Sequence, residues 1–215
     1  MLYFLGLICL IMGGTLLIPV FVALIYWEIG VIPYFIIPAS ITLAIGYIIV
    51  KKLESEELSL GNAMVVVTCT WIIFAFLGSI PYIFSSGLSF LDAYFESMSG
   101  FTATGLTVMQ GYTGWTIPEP THTVLFWRSL TQWVGGLGVI VLFLALFPGT
   151  ASVARKLYAS EAREDRIMPS MRATVRTIWN IYLLFTILGV VGLYLAGMHP
   201  FAAVNHSMTG IATGG

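Results

Sequence analysis

The sequence has very little charge. Only 9% of its 215 residues are charged, whereas 58% are hydrophobic and the mean hydropathy is +0.95. A soluble globular domain carries about 25% charged residues, and a chain this poor in charge cannot cover a water-facing surface. Most of it must face lipid or other membrane helices. There is also no strongly basic domain, so nucleic-acid binding is not predicted.

Cysteine is scarce, and the patterns of metal sites and enzymes are missing. Cys9 and Cys69 both lie inside apolar runs, where a thiol behaves as a small buried hydrophobe, and they suggest neither a disulfide framework nor a metal site. The sequence contains no HExxH, no Ser/His/Asp arrangement and no paired carboxylates at membrane depth. We therefore predict no cofactor and no enzyme. The N-terminus has no basic segment before its apolar run, which predicts a retained span rather than a cleaved signal peptide.

Five apolar runs are long enough to cross a bilayer, for which a helix needs about 20 mostly apolar residues. Pro19 and Pro81 fall within two of these runs, which membrane helices tolerate better than soluble ones. The chain is therefore predicted to be an all-α, multi-pass integral membrane protein in contact with the lipid bilayer. The predicted spans are residues 2–27, 31–50, 63–84, 123–147 and 174–195.

Lysine and arginine are absent between residues 85 and 122, and this gap sets the predicted orientation. Eight of the nine basic residues lie just after the second span, or in or beside the link between the fourth and fifth spans. Because basic residues concentrate on the cytoplasmic side, the N-terminus and both of these links are predicted to be cytoplasmic, and residues 85–122 external, in the inner (cytoplasmic) membrane of the cell. The eight residues are Lys51, Lys52, Arg155, Lys156, Arg163, Arg166, Arg172 and Arg176.

The external segment contains a stretch too polar to span the bilayer, FLDAYFESMSGFTATGLT (residues 90–107). Part of it recurs 110 residues later, because SMSGFTATG (97–105) aligns without a gap to SMTGIATGG (207–215). An apolar span and a short turn precede each copy, so the repeated unit is predicted to be span–loop–span. The predicted domains are two leading helices with a cytoplasmic loop (1–60), a first repeat (61–148), a cytoplasmic linker (149–171) and a second repeat (172–215) that stops in its loop.

Each loop is predicted to be a short helix followed by bare backbone that strips water from a cation. Asp92, near the start of a helix over residues 91–100, complements the positive end of the helix dipole, and the partly negative end then points at residues 102–106. Carbonyl oxygens there can replace the hydration shell of a K⁺-sized ion. The alternative is an ordinary external loop with a chance match. The predicted ligand residues are Thr102, Ala103, Thr104, Gly105 and Leu106 in the first loop and Ala212, Thr213, Gly214 and Gly215 in the second.

Arg128 is a charge inside a predicted span, about 9 Å below its outer end at 1.5 Å per residue. A charge at this depth is costly and usually paired. We expect Arg128 to anchor the first loop through Glu96, Asp92 or exposed loop carbonyls. Snorkelling of the guanidinium to the interface is the alternative.

Other residues of the same regions have structural interpretations. Gly135, Gly136 and Gly138 form a small-residue face for which close helix packing is expected, with a gating hinge as the alternative. His206 takes the repeat position of Glu96, so no ring of acidic residues is predicted at that level. Four aromatic residues are predicted to lie in the interfacial belt: Trp27, Tyr112, Trp115 and Trp127.

Four stretches resemble Trk-type potassium uptake transmembrane subunits, of the Trk/Ktr/HKT superfamily. ESMSGFTATGLTV (96–108) is similar to their first pore loop and FWRSLTQWVGGLGVIVLF (126–143) to the helix that follows it. EDRIMPSMRATVRTIWNIYLLF (164–185) is similar to the link into their second repeat, and SMTGIATGG to their second pore loop. The likeness covers the whole chain, including two helices ahead of the first repeat.

The resemblance implies four span–loop–span units around a central K⁺ pore, a homodimer in the full-length protein, and a cytosolic nucleotide-binding regulatory subunit as partner. The function it implies is that of a pore-forming subunit of a potassium uptake system, with K⁺ as the transported ion. Because the sequence stops in the second loop, we expect a fragment of such a subunit. A non-conducting scaffold or assembly fragment is the alternative, and a membrane-embedded enzyme is the weakest one. Channel-like flux and ion-coupled symport both stay open.

Overall fold

The computed structural model describes residues 1–54, 59–109, 120–146 and 171–214, and this part of the chain is helical, without a β-strand. The all-α prediction is confirmed. In chain order, the helices are α1 (Leu2–Ile25), a 3₁₀ turn (Ile29–Val31), α2 (Ile32–Lys52), α3 (Leu60–Ser86), α4 (Phe90–Phe101), α5 (His122–Leu146), α6 (Met171–Leu195) and α7 (Pro200–Ile211).

Within the described residues, four helical segments are long and apolar enough to cross a membrane, and they match four of the five predicted spans: Leu2–Ile25, Ile29–Lys52, Gly61–Ser86 and Val175–Leu195. The remaining predicted span, 123–147, forms the 25-residue helix α5. Its first half carries Arg128, Thr131 and Gln132, which lower its hydropathy. Thr131 and Gln132 are buried, so these polar groups face other helices rather than lipid. Residue 147 and the predicted linker up to residue 170 lie outside the described residues.

Helices α1 and α2 form a tightly packed hairpin because glycines lie where the two backbones approach. A Cβ on Gly46 would lie 2.8 Å from the carbonyl oxygen of Gly6 and 2.9 Å from the amide nitrogen of Leu10. A Cβ on Gly13 would lie 2.6 Å from Cγ of Leu43. Small residues of this kind allow membrane helices to gain van der Waals contact that the lipid-like side chains alone do not supply.

The turn between α1 and α2 caps the start of α5. Glu28 Oε1 accepts a hydrogen bond from the backbone N–H of His122 (2.9 Å), and Oε2 accepts from the backbone N–H (2.9 Å) and hydroxyl (2.6 Å) of Thr123. The rings of Tyr26 and His122 stack at 4.0 Å, and Phe201 packs edge-on against both. A carboxylate at a helix N-terminus is favourable. These contacts place the α1–α2 turn, the start of α5 and the start of α7 at one end of the bundle.

This cap makes stability depend on pH. Burial alone would raise the pKa of Glu28, but the hydrogen bonds from Thr123 and His122 outweigh it, and the pKa is lowered. A carboxyl whose folded pKa is depressed stabilises the fold above the unfolded value, about 4.3 for Glu, and this contribution is lost as the pH falls through the folded pKa. Glu28→Gln should destabilise the folded protein by about 1–2 kcal/mol near neutral pH. It should also reduce the loss of stability as the pH falls, and both effects are measured by thermal unfolding in detergent. Glu54→Gln, at an exposed carboxylate, is the control, and equal losses in both variants would contradict the cap.

Trp127 is the centre of the core that joins α3, α4 and α5. Its side chain is 0% exposed, and its indole N–H donates to the carbonyl oxygen of Gly78 at 3.1 Å. Phe35 and Phe101 pack edge-on against it, with ring centroids 5.8 and 6.1 Å away. The prediction of an interfacial position was therefore wrong for Trp127, because a carbonyl inside the bundle satisfies its N–H. Trp27 is 84% exposed, as expected for the belt, and residues 112 and 115 lie outside the described residues.

The short helices α4 and α7 repeat one arrangement. Each has 12 residues, about 18 Å at 1.5 Å per residue, which is too short to cross the bilayer. Each follows a long helix through a turn with a positive-φ glycine, Gly87 at 66° and Gly197 at 94°. The hydroxyl of Ser89 caps α4 by accepting from the backbone N–H of Asp92 at 3.2 Å. Pro200 begins α7, a position where its missing N–H costs nothing.

Candidate functional site

Helices α4 and α7 end in the same backbone turn. In each, the residue in the left-handed conformation donates its N–H three residues back, and the next residue donates five residues back, which is the Schellman arrangement. The hydrogen bonds are Ala103 N to Gly100 O at 2.8 Å and Thr104 N to Ser99 O at 3.0 Å in the first loop, and Thr213 N to Gly210 O at 3.1 Å and Gly214 N to Thr209 O at 3.1 Å in the second.

Both turns place an L-residue where glycine is usual. Ala103 has φ 54° and Thr213 has φ 60°, a conformation that costs a non-glycine residue about 1–2 kcal/mol. The turn directs backbone N–H groups back into the helix. The carbonyl oxygens of Thr102, Ala103 and Thr104 accept no hydrogen bond from any described residue. Among the described residues these oxygens are therefore unengaged, and they lie at the partly negative end of α4.

The cost at Ala103 gives a direct test of the turn. Ala103→Gly should leave stability unchanged or raise it by up to about 1 kcal/mol, because glycine adopts positive φ without strain but loses more entropy on folding. Ala93→Gly is the matched control, since Ala93 is buried inside α4 and glycine should cost about 1 kcal/mol there. Thermal unfolding in detergent distinguishes them. A similar loss in both variants would contradict the left-handed turn.

Hydrogen bonds from hydroxyl groups hold the first loop against the C-terminal end of α4. Thr102 Oγ1 donates to the carbonyl oxygen of Met98 at 2.8 Å and lies 2.8 Å from Thr104 Oγ1. Ser99 Oγ donates to the carbonyl oxygen of Leu106 at 2.6 Å. The carbonyl of Leu106, a predicted ligand, is therefore engaged by Ser99, which sequence reasoning missed.

Arg128 and Glu96, the two residues predicted to anchor the first loop, form an ion pair beside it. Arg128 Nε donates to Glu96 Oε1 at 2.7 Å, and Nη2 donates to the carbonyl oxygen of Gly105 at 3.2 Å. Glu96 Oε2 accepts from the hydroxyl of Thr107 at 2.9 Å and the backbone N–H of Val108 at 3.1 Å. The Glu96 side chain is 1% exposed, and a buried charge needs this number of partners. The pair ties both ends of the loop to α5.

The two loops touch each other. A Cβ built on Gly105, whose φ is 76°, would collide with the carbonyl group of Gly214. Beside this contact lies a cavity of about 260 Å³, large enough for several waters at about 30 Å³ each. Its lining residues are Thr102, Ala103, Gly136, Tyr182, Ile211, Ala212 and Thr213. Gly215, the last predicted ligand, lies outside the described residues.

Glycines of α5 allow both loops to approach that helix. A Cβ on Gly135 would lie 2.6 Å from the carbonyl carbon of Phe101, and one on Gly136 would lie 3.2 Å from Cα of Ala212. Close packing is confirmed at these two positions. A Cβ on Gly138 would meet only a Trp71 ring atom at 3.8 Å, so Gly138 is not part of the contact.

A hydrogen-bonded chain connects the two units. Tyr182 Oη donates to the carbonyl oxygen of Trp133 at 3.0 Å, and Trp133 Nε1 donates to Thr186 Oγ1 at 3.0 Å. Ser207 Oγ donates to the carbonyl oxygen of Thr186 at 2.7 Å. Helices α5, α6 and α7 are thus joined through polar groups. The sequence offered no signal for this chain, because its members are scattered polar positions in apolar helices. His206, the counterpart of Glu96, is exposed.

The chain is similar to known cation transport proteins over its whole length. Residues 34–215 match the model of the TrkH family, described as cation transport protein. An uncharacterized cation transporter of Methanocaldococcus jannaschii is 40% identical over 215 residues, which is 100% of this chain and 44% of the relative. The Trk system potassium uptake protein TrkH of Escherichia coli is 36% identical over 218 residues, covering 98% of this chain and 44% of that protein.

A solved structure is similar over the same region. The crystal structure of the potassium transporter TrkH from Vibrio parahaemolyticus superimposes with a TM-score of 0.80 at 32% sequence identity, over 98% of this chain and 42% of that one. The chain thus spans less than half of the length of each of these relatives.

Proposed function

We propose that this chain forms part of a pore that takes potassium up through the cell membrane. It belongs to the TrkH family of cation transport proteins. The observation that carries the proposal is the meeting of two loops that share one backbone turn. Their contact, at Gly105 and Gly214, brings the free carbonyl oxygens of the first loop beside the equivalent backbone of the second.

The chemistry of the loops suits a monovalent cation that must shed water and then leave again. Backbone carbonyls of residues 102–104 and the negative ends of two short helices offer partial charges, which bind an ion weakly enough to release it. Glu96, a carboxylate beside the first loop, is neutralised by Arg128 at 2.7 Å and would not hold the ion tightly. We assign the ion contacts to the predicted residues Thr102, Ala103 and Thr104 and to the corresponding Ala212 and Thr213. Gly105 and Gly214 set how closely the two loops approach each other.

Two loops cannot encircle an ion, so the proposed pore includes further loops of the same kind from outside these 215 residues. We further propose the division into leading helices (1–60), a first repeat (61–148), a linker (149–171) and a second repeat (172–215), with the N-terminus in the cytoplasm. The proposed assembly is a homodimer that binds a cytosolic nucleotide-binding regulatory subunit. The protein moves an ion and catalyses no covalent step.

Growth of cells that lack their own potassium uptake systems tests the function. The complete gene product should restore growth at low K⁺ and give rubidium tracer uptake that excess K⁺ suppresses and Na⁺ does not. The inactive control is Gly105→Ala, and membrane levels are measured by blotting. A wild-type protein that is inserted at normal levels but restores neither growth nor tracer uptake would contradict the proposal.

A further inference from the structure

Gln132 is a buried polar residue whose side-chain oxygen lacks a hydrogen-bond partner among the described residues. It lies on α5 one helical turn after Arg128, its side chain is 1% exposed, and its Oε1 accepts no hydrogen bond within the described part of the chain. A buried acceptor without a donor is unfavourable relative to an apolar side chain of the same shape. Such groups are few in native proteins, and each calls for an explanation.

The position of Gln132 beside the second loop explains why an amide lies here. A Cβ built on Gly214 would collide with Oε1 of Gln132 and lie 2.9 Å from its Cδ. The amide therefore fills the space beside Gly214 in the second loop. Gly214 itself abuts Gly105, whose carbonyl oxygen is held by Arg128. One helix thus supports both sides of the contact between the loops, with Arg128 at the first loop and Gln132 at the second.

We propose that Gln132 is a positioning residue that sets the spacing of the two loops and thereby the discrimination between K⁺ and Na⁺. This inference rests on the proposed function. Residues four apart on a helix lie on the same face, so Arg128 and Gln132 act on the loops as a rigid pair. A ring of carbonyls discriminates between ions through its size and the number of oxygens it offers, and both depend on how far the second loop is held from the first.

The test replaces the amide and keeps the volume. Gln132→Met in the complete gene product should still be inserted and still take up rubidium, but its preference for K⁺ over Na⁺ should fall by about fivefold or more, a coupling of the size seen between linked sites. The preference is measured as the Na⁺ concentration that halves rubidium uptake in cells without other uptake systems. Ser129→Ala is the matched control, because Ser129 is also buried on α5. Among the described residues its hydroxyl hydrogen-bonds only within the helix, to the Leu125 carbonyl at 3.2 Å.

A second readout distinguishes positioning from simple packing. Since Gln132→Met removes an acceptor without a partner, its unfolding temperature in detergent should equal or exceed that of the wild type. Gln132→Asn, which keeps the amide but withdraws it by one methylene, should give an intermediate preference. An unchanged preference in Gln132→Met, or loss of the protein from the membrane, would overturn the proposal. A wild-type protein without K⁺ uptake would instead overturn the proposed function.

Discussion

Gly105→Ala should reduce potassium uptake severely while leaving the protein in the membrane. Two effects combine at this position. The φ of 76° is strained for any L-residue, at about 1–2 kcal/mol, and the added Cβ would collide with the carbonyl group of Gly214. The collision involves backbone on both sides, so the loops must move apart. Carbonyl oxygens can replace the hydration shell of an ion only if they lie at the right distance from it. We therefore expect uptake to fall by at least about tenfold, which corresponds to a free-energy change of 1.4 kcal/mol.

Gly197→Ala separates the two effects. Gly197 has an even more positive φ of 94°, but a Cβ there would meet nothing within 4 Å. This variant has the backbone strain without the collision, at a turn outside both loops. It should lose some thermal stability and keep its rubidium uptake. Equal uptake by Gly105→Ala and Gly197→Ala would show that the contact between the loops has no part in transport.

Arg128→Gln should be among the most damaging single changes in the chain. It leaves Glu96 buried at 1% exposure without its ion partner and frees the carbonyl of Gly105. Breaking a buried pair by removing one partner costs about 3–5 kcal/mol. We expect a lower unfolding temperature in detergent, a reduced membrane level and almost no rubidium uptake. Arg176→Gln, which removes an exposed basic residue from α6, should change none of these by much.

A double-mutant cycle tests whether Arg128 and Glu96 act as a unit. Glu96→Gln alone should also destabilise, because it leaves the guanidinium without its charge partner and weakens the bonds from Thr107 and Val108. The double variant should be less damaged than the sum of the single ones, with a coupling of about 0.5–3 kcal/mol. Additive losses would mean that the two side chains stabilise the protein independently. Intact folding and uptake in Arg128→Gln would refute the claim that Arg128 anchors the first loop.

The sequence predicted the helical class and the two short helices that end in the candidate site, because both rest on local patterns. Apolar runs of sufficient length indicated the spans, and the 110-residue repeat located α4 and α7 to within a residue or two. The same repeat also accounts for the shared backbone turn at the ends of α4 and α7. Ser89 could also have been found, since a serine three residues before an acid is a known cap signature.

Other features of the site depend on tertiary contacts that no pattern encodes. The positive φ of Ala103 and Thr213 contradicts the preference of those residues and is imposed by the closing turn. The contact of Gly105 with Gly214 joins distant segments. Gln132 and Tyr182 are polar positions in apolar helices, and periodicity does not show which loop such a residue faces. Trp127 was misplaced for the same reason, because its partner at Gly78 lies on another helix.

The most direct test of the central claim, that the two loops form one cation path, is to locate the ion. Crystals of the complete protein grown with rubidium should give anomalous scattering peaks beside the carbonyl oxygens of residues 102–104 and their counterparts after α7. Ordered rubidium elsewhere in the bundle, with none beside either loop, would contradict the account.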